Sequence, residues 1–121
     1  MFVLQVETTM DAQALSARLA AIASPQRMRI LSMLAGEALH VSELARRVQM
    51  SRALLYMHLQ RLEEAGYVTG RLELSNDGKA LKYFEIVPFD LTIDLATIVA
   101  AVRRSEDQQH SEEVQRSEES G

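Results

Sequence analysis

Few residues in this sequence are placed to move a proton or to attack a bond. Three histidines, His40, His58 and His110, are scattered along 121 residues, and there is no cysteine. That excludes disulfides, thiolate metal ligands and a cysteine nucleophile. No serine stands with a histidine in a recognisable hydrolytic arrangement, no glycine-rich loop cradles a phosphate, and no cluster joins carboxylates to histidines. Enzymatic activity is therefore not expected, and no cofactor is implied. What remains is hydrogen bonding and charge. Ser51, Arg52, Gln60 and Arg61 lie along "SRALLYMHLQRLEEA", with Arg46 and Arg47 just ahead and Lys79 and Lys82 further on. Basic side chains neutralise phosphates, and arginine and glutamine also hydrogen-bond base edges. The same stretch carries Ala53, Leu54, Tyr56 and Met57, more apolar surface than one buried helix face requires.

A net charge of −4 argues weakly against a polyanionic partner, but its distribution alters that. From Ser105 to Gly121 there are six acidic residues against Arg116 alone, which leaves twelve basic and eleven acidic residues in 1–104. Within 41–82 there are seven basic residues to five acidic ones. The polar tail 105–121 is expected to be frayed or disordered, and 1–104 to form one domain. With no apolar run long enough to span a membrane and no secretory signal, the cytoplasm is the default location.

The elements that position these groups are read from periodicity. "FVLQVE" is a short strand or an arm. Thr8 or Thr9 precedes a helix over 10–23 with Leu15, Leu19 and Ile22 on one face. Ser24 and Pro25 start the next helix, which Gly36 ends. Ser42 caps "ELARRV", and Ser51 caps a helix over 51–65 that Gly66 closes. "YVTGRLEL" and "ALKYFEIV" then form a hairpin over 68–87, with Asn-Asp-Gly in "SNDGK" supplying positive-φ turn residues. Pro88 breaks the strand, and a helix over 90–104 is apolar at Leu91, Leu95, Ile98, Val99 and Val102. The fold class is mainly α with a small β-hairpin (α+β): about five helices and a two-stranded wing. Leu44, Val48, Leu55, Leu59 and Leu62 can share a core, with His58 beside them. Met28, Met33 and Met50 read as core filler, and His40 as a loop residue.

The short connection around Gln49 and Met50 suits a helix-turn-helix corner. From Ser24 ("SPQRMRILSML") through "VSELARRVQMSRALLYMHLQRLEEAGYV" to "GRLELSNDGKALKYFEI", over half the chain resembles the ArsR-type winged helix-turn-helix repressors. "HLQRLEEAGYV" is the most specific piece. The resemblance implies a homodimeric transcription regulator that binds promoter DNA, often with a ligand-switched affinity. Helices 10–23 and 90–104 sit where the family places its dimerisation helices, so Leu15, Leu19, Ile22, Leu91, Leu95, Ile98, Val99 and Val102 become the expected dimer contacts. Helix 51–65 would read the major groove and hairpin 68–87 would act as the wing. Arg52 and Gln60 can hydrogen-bond bases or phosphates, and Ala53, Leu54 and Met57 can contact thymine methyls. Ser51 at the helix N-terminus suits a phosphate, as do Arg46, Arg47 and Arg61. Lys79 and Lys82 would reach the backbone or minor groove.

Departures from the family pattern matter equally. Where metal-sensing members carry a Cys-Val-Cys pair, "HVS" puts His40 and Ser42. Where others carry an Asp-x-His, Asp94 is followed by Ala96, and His110 stands alone. No metal site is expected; a metal- or ligand-responsive repressor is kept as one alternative reading. Tyr56 and Met57 depart from the small polar or basic residues the resemblance leads one to expect. Both stay among the expected DNA contacts of helix 51–65, and they leave open another alternative, a winged-helix module that contacts protein.

Overall fold

The computed structural model describes residues 9–120, so the strand or arm expected at "FVLQVE" lies outside the described residues. The elements are α1 (Ala12–Ile22), α2 (Pro25–Leu34), β1 (Leu39–His40), α3 (Val41–Val48), α4 (Arg52–Glu64), β2 (Val68–Leu74), β3 (Ala80–Ile86) and α5 (Leu95–Ser120). The described residues divide into two compact units, residues 19–88 and a second comprising 9–18 with 89–120. The mainly α class with a small antiparallel sheet matches the expectation.

In unit 19–88, α2 starts where the sequence implies. Ser24 is extended and its Oγ accepts the Arg27 N–H at 3.3 Å, with Pro25 at the first helical position. Ile30, Leu31 and Leu34 of α2 are buried together with Leu44 and Val48 of α3, Leu55, Leu59 and Leu62 of α4, and Tyr67, Val68 and Phe84. Met28 is not core filler: it is 54% exposed. At 3.6 residues per turn it falls off the Ile30–Leu31–Leu34 stripe, and Arg27 is the residue in line with that stripe.

The sheet has three strands in the order β1-β3-β2, all antiparallel, rather than the hairpin alone. Pairing of Leu39 with Phe84 and of His40 with Tyr83 holds His40 in an extended conformation. From there its Nδ1 accepts the Glu43 N–H at 3.4 Å, so His40, not Ser42, caps α3, and it is not a loop residue. The β2–β3 register runs from Val68 opposite Ile86 to Leu74 opposite Ala80. Ser75 donates its N–H to the Lys79 carbonyl at 2.8 Å and accepts the Gly78 N–H at 2.9 Å, closing the turn. Gly78 alone in the turn takes a positive φ, 84°; Asn76 and Asp77 do not.

In the second unit, α5 begins at Leu95, not at 90. Asp94 accepts the Thr97 N–H at 2.8 Å and its hydroxyl at 2.7 Å, an N-cap that sets the start. The helix then continues to Ser120, through the segment expected to fray, so the boundary placed at 104 falls inside a helix. The segment after Ser105 is rich in Glu and Gln and lacks Gly or Pro before Gly121; such residues propagate helix, and its one arginine, Arg116, pairs with Glu112 one turn back at 3.8 Å. At the start of α1, Asp11 rather than a threonine accepts the Ala14 N–H at 2.9 Å. Ala12 donates to Ser105 Oγ at 2.9 Å and Arg104 to the Met10 carbonyl at 3.1 Å, next to buried Leu15 and Ala101.

Candidate nucleic-acid interface

Three residues, Gln49, Met50 and Ser51, turn the chain from α3 into α4. Gln49 is left-handed, with φ 58° and ψ 48°. Its N–H bonds the Arg46 carbonyl at 3.3 Å and the Met50 N–H bonds the Ala45 carbonyl at 3.1 Å, a Schellman closure built without glycine. Ser51 Oγ then accepts the Leu54 N–H at 3.1 Å and starts α4. At its far end, Gly66 (φ 86°) allows a second such closure, with Tyr67 N–H on the Leu62 carbonyl at 2.9 Å. Between these stops, Leu55, Leu59 and Leu62 face inward. His58 beside them is half-buried; its Nδ1 accepts Arg27 Nε–H at 3.2 Å while its Nε2 is enclosed without a partner. Burial first, and the Arg27 guanidinium second, push its pKa down and keep the ring neutral.

Arg52, Ala53, Leu54, Tyr56, Met57, Gln60 and Arg61 are all exposed on the outer side of α4, as the sequence leads one to expect. Met57 is the most open of its apolar members at 65%, followed by Tyr56 at 45% and Leu54 at 37%. The polar members are partly committed within the chain. Arg52 hydrogen-bonds Ser42 Oγ and so ties the start of α4 to α3. Gln60 donates to Glu64 at 3.3 Å. Arg46 and Arg47 share the Glu43 carboxylate, and Arg47 also reaches Glu37 at 3.2 Å. Hydrogen bonds from the two guanidinium groups hold the Glu43 pKa at about 2, below its ordinary 4.5. The expected phosphate-binding pair on α3 is thus already matched by two carboxylates, and the capture by Glu43 is one that i+3 and i+4 spacing encodes.

The wing is anchored to α4 by Glu63, which accepts the Gly70 N–H at 3.3 Å. Lys79 is exposed in the turn. Lys82 instead lies along the sheet, its Nζ 5.6 Å from the Phe84 ring centroid. A Cβ at Gly70 would come within 2.7 Å of Lys82 Cε, so the glycine makes room for that stem. On the opposite face Arg71, missing from the sequence-derived set, pairs with Glu73 at 3.0 Å and Glu85 at 2.6 Å and lies over Tyr83. Alternation along β2 places Arg71 on this face; its partner Glu85 depends on the strand register.

The residues expected at a dimer contact separate into two groups. Leu15 is buried within the chain, and Leu19, Ile22 and Leu91 are half-buried. Leu91 precedes α5 rather than belonging to it. Leu95 is 75% exposed and Ile98, Val99 and Val102 are 40–45% exposed, forming one stripe on α5. Among the described residues, no helix is long and apolar enough to cross a membrane.

Comparison with known proteins gives three kinds of match. Residues 24–69 match the profile of the bacterial regulatory proteins of the arsR family. An uncharacterized HTH-type transcriptional regulator from Methanocaldococcus jannaschii is 32% identical over 74 residues, 61% of this chain and 77% of that protein. Among solved structures, NolR from Sinorhizobium fredii is 25% identical with a TM-score of 0.53, over 78% of this chain and 84% of that one. HlyU from Vibrio vulnificus CMCP6 is 25% identical with a TM-score of 0.52, over 92% and 97%. A homodimeric winged helix-turn-helix DNA-binding domain from Mycobacterium bovis has the same fold at 22% identity and a TM-score of 0.55, over 84% of each chain.

Proposed function

The chain belongs to the arsR family of bacterial regulatory proteins, and from that premise we propose that it acts in the cytoplasm as a homodimeric repressor that occludes promoter DNA. In this reading α4 enters the major groove and the β2–β3 hairpin lies along the neighbouring backbone. The observation that carries it is the division of α4: three leucines sealed in the core, and an outer face left open between two firm helix stops. Ser51, Arg52 and Arg61, with Lys79 in the wing, supply the contacts to phosphate. The open stripe of α5 supports pairing of two copies about a twofold axis. Residues 1–104 hold everything this reading needs, and the end of α5 extends beyond it. The test is binding to random-sequence duplex DNA over a range of salt. Affinity should fall steeply as salt rises, because displaced counterions drive the contact. Negligible binding even at low salt sinks the reading and favours the second one, a protein-contacting module, for which the apolar outer face of α4 speaks.

A further inference from the structure

The outer face of α4 is unusual for a surface meant to read hydrogen-bond patterns. On a helical projection Ala53, Met57 and Gln60 lie opposite the Leu55–Leu59–Leu62 stripe, with Leu54 on one flank and Tyr56 on the other. Of these only Gln60 is a side chain built to read a base pair by paired hydrogen bonds, and it is held by Glu64. Arg52, at the edge of the face, is held by Ser42. Before contacting a base, each must give up a bond it already has. The apolar side chains give up only water. In the major groove the one apolar feature that distinguishes base pairs is the C5 methyl of thymine.

Resting on the DNA-binding reading above, we propose that α4 selects its DNA sequence chiefly through thymine methyl groups, contacted by Ala53, Leu54, Tyr56 and Met57, while its cations only anchor the backbone. The occupant is taken to be DNA because the patch starts at the Ser51 cap, at the positive end of α4, and is rimmed by Arg52 and Arg61. A rim of that sign complements phosphates on both sides of a groove. The arginine pair of α3, shared with Glu43, contributes less charge than its count implies. Sequence preference therefore falls to the greasy centre of the face. The consequence is a binding site rich in A·T pairs at the positions under α4, recognised from the thymine side.

The test uses the full-length protein and duplexes enriched by it from a random pool. The enriched site is resynthesised with deoxyuridine in place of thymidine under the footprint, which removes the methyls and leaves every hydrogen-bonding group. Burial of one methyl is worth about fourfold in affinity, so binding should weaken by about that factor for each contacted thymine, with the salt slope unchanged. Met57→Ala, at an exposed position, should bind the thymine site more weakly and lose part of its discrimination between thymine and uracil. Equal affinity for the two duplexes overturns the inference while leaving DNA binding intact. So does a Tyr56→Ala, Met57→Ala double variant that discriminates like the parent. A protein that enriches no duplex from the pool overturns the inference and the DNA-binding reading together.

Discussion

α4 and α5 carry apolar residues at the same helical spacing and use them in opposite ways. Leu55, Leu59 and Leu62 of α4 are sealed at 0–1% exposure inside unit 19–88. Leu95, Ile98, Val99 and Val102 of α5 stay open to solvent. An amphipathic pattern thus states that a stripe needs a cover, and leaves unsaid which molecule supplies it. In α4 the cover is intramolecular, so the remaining face is available for a ligand. In α5 none of the described residues covers the stripe, which is the physical ground for the second copy proposed above.

The largest effect expected from this contrast is in the sealed stripe. Leu59→Ala opens a cavity in the buried core and should cost about 2–5 kcal/mol in a denaturant titration. A loss below about 1 kcal/mol would mean that α4 is packed no better than α5. Val102→Asp tests the open stripe. It should leave the melting transition of unit 19–88 intact, yet place a charge in the contact between copies at a cost of roughly several kcal/mol. Sedimentation should show the parent near twice 13.6 kDa and the variant near 13.6 kDa; a monomeric parent breaks the comparison outright. Arg52→Ala probes the rim of α4's open face. Binding should weaken similarly on all sequences, with the salt slope falling by about one unit, as for a phosphate contact. A loss of about 1–3 kcal/mol confined to one base position would instead make Arg52 a base reader.

The smallest effect concerns the carboxylate that restrains the basic residues ahead of α4. Glu43 has its folded pKa depressed from 4.5 to about 2. Its ion pairs therefore contribute fully above 4.5 and are lost as pH falls through the window down to about 2. Glu43→Gln should flatten that part of the acid-unfolding profile, by little because the pairs are solvated. With Arg46 released and Arg47 left to Glu37 alone, it should also steepen the salt dependence of DNA binding.

Much of this fold is legible in the sequence because its signals are local. Ser24 with Pro25, Ser51 and Gly66 each mark a helix end through one side chain or one backbone angle, and each acts as read. What is not legible depends on distant partners. β1 is two residues long and exists through Tyr83 and Phe84, so the promotion of His40 from loop to helix cap has no local signature. Composition suggests a frayed tail, whereas helix propensity and the absence of breakers carry α5 to Ser120. The outer face of α4 follows directly from periodicity. Its polar economy does not: the bond of Arg52 to Ser42 is set by packing, just as in the wing the approach of Lys82 to the Phe84 ring is set by the strand register.

The shortness of β1 has a thermodynamic consequence for the wing. Only its base is three strands wide; from Leu72 and Lys82 outward it is a two-stranded ribbon with Leu72 and Leu74 in solvent. Isolated ribbons of that kind are marginal in water. Amides near the tip should therefore exchange with solvent through local openings that leave Val68 and Phe84 protected. Whatever seats the wing must also still it, so in a calorimeter its contacts register as favourable heat largely offset by lost entropy.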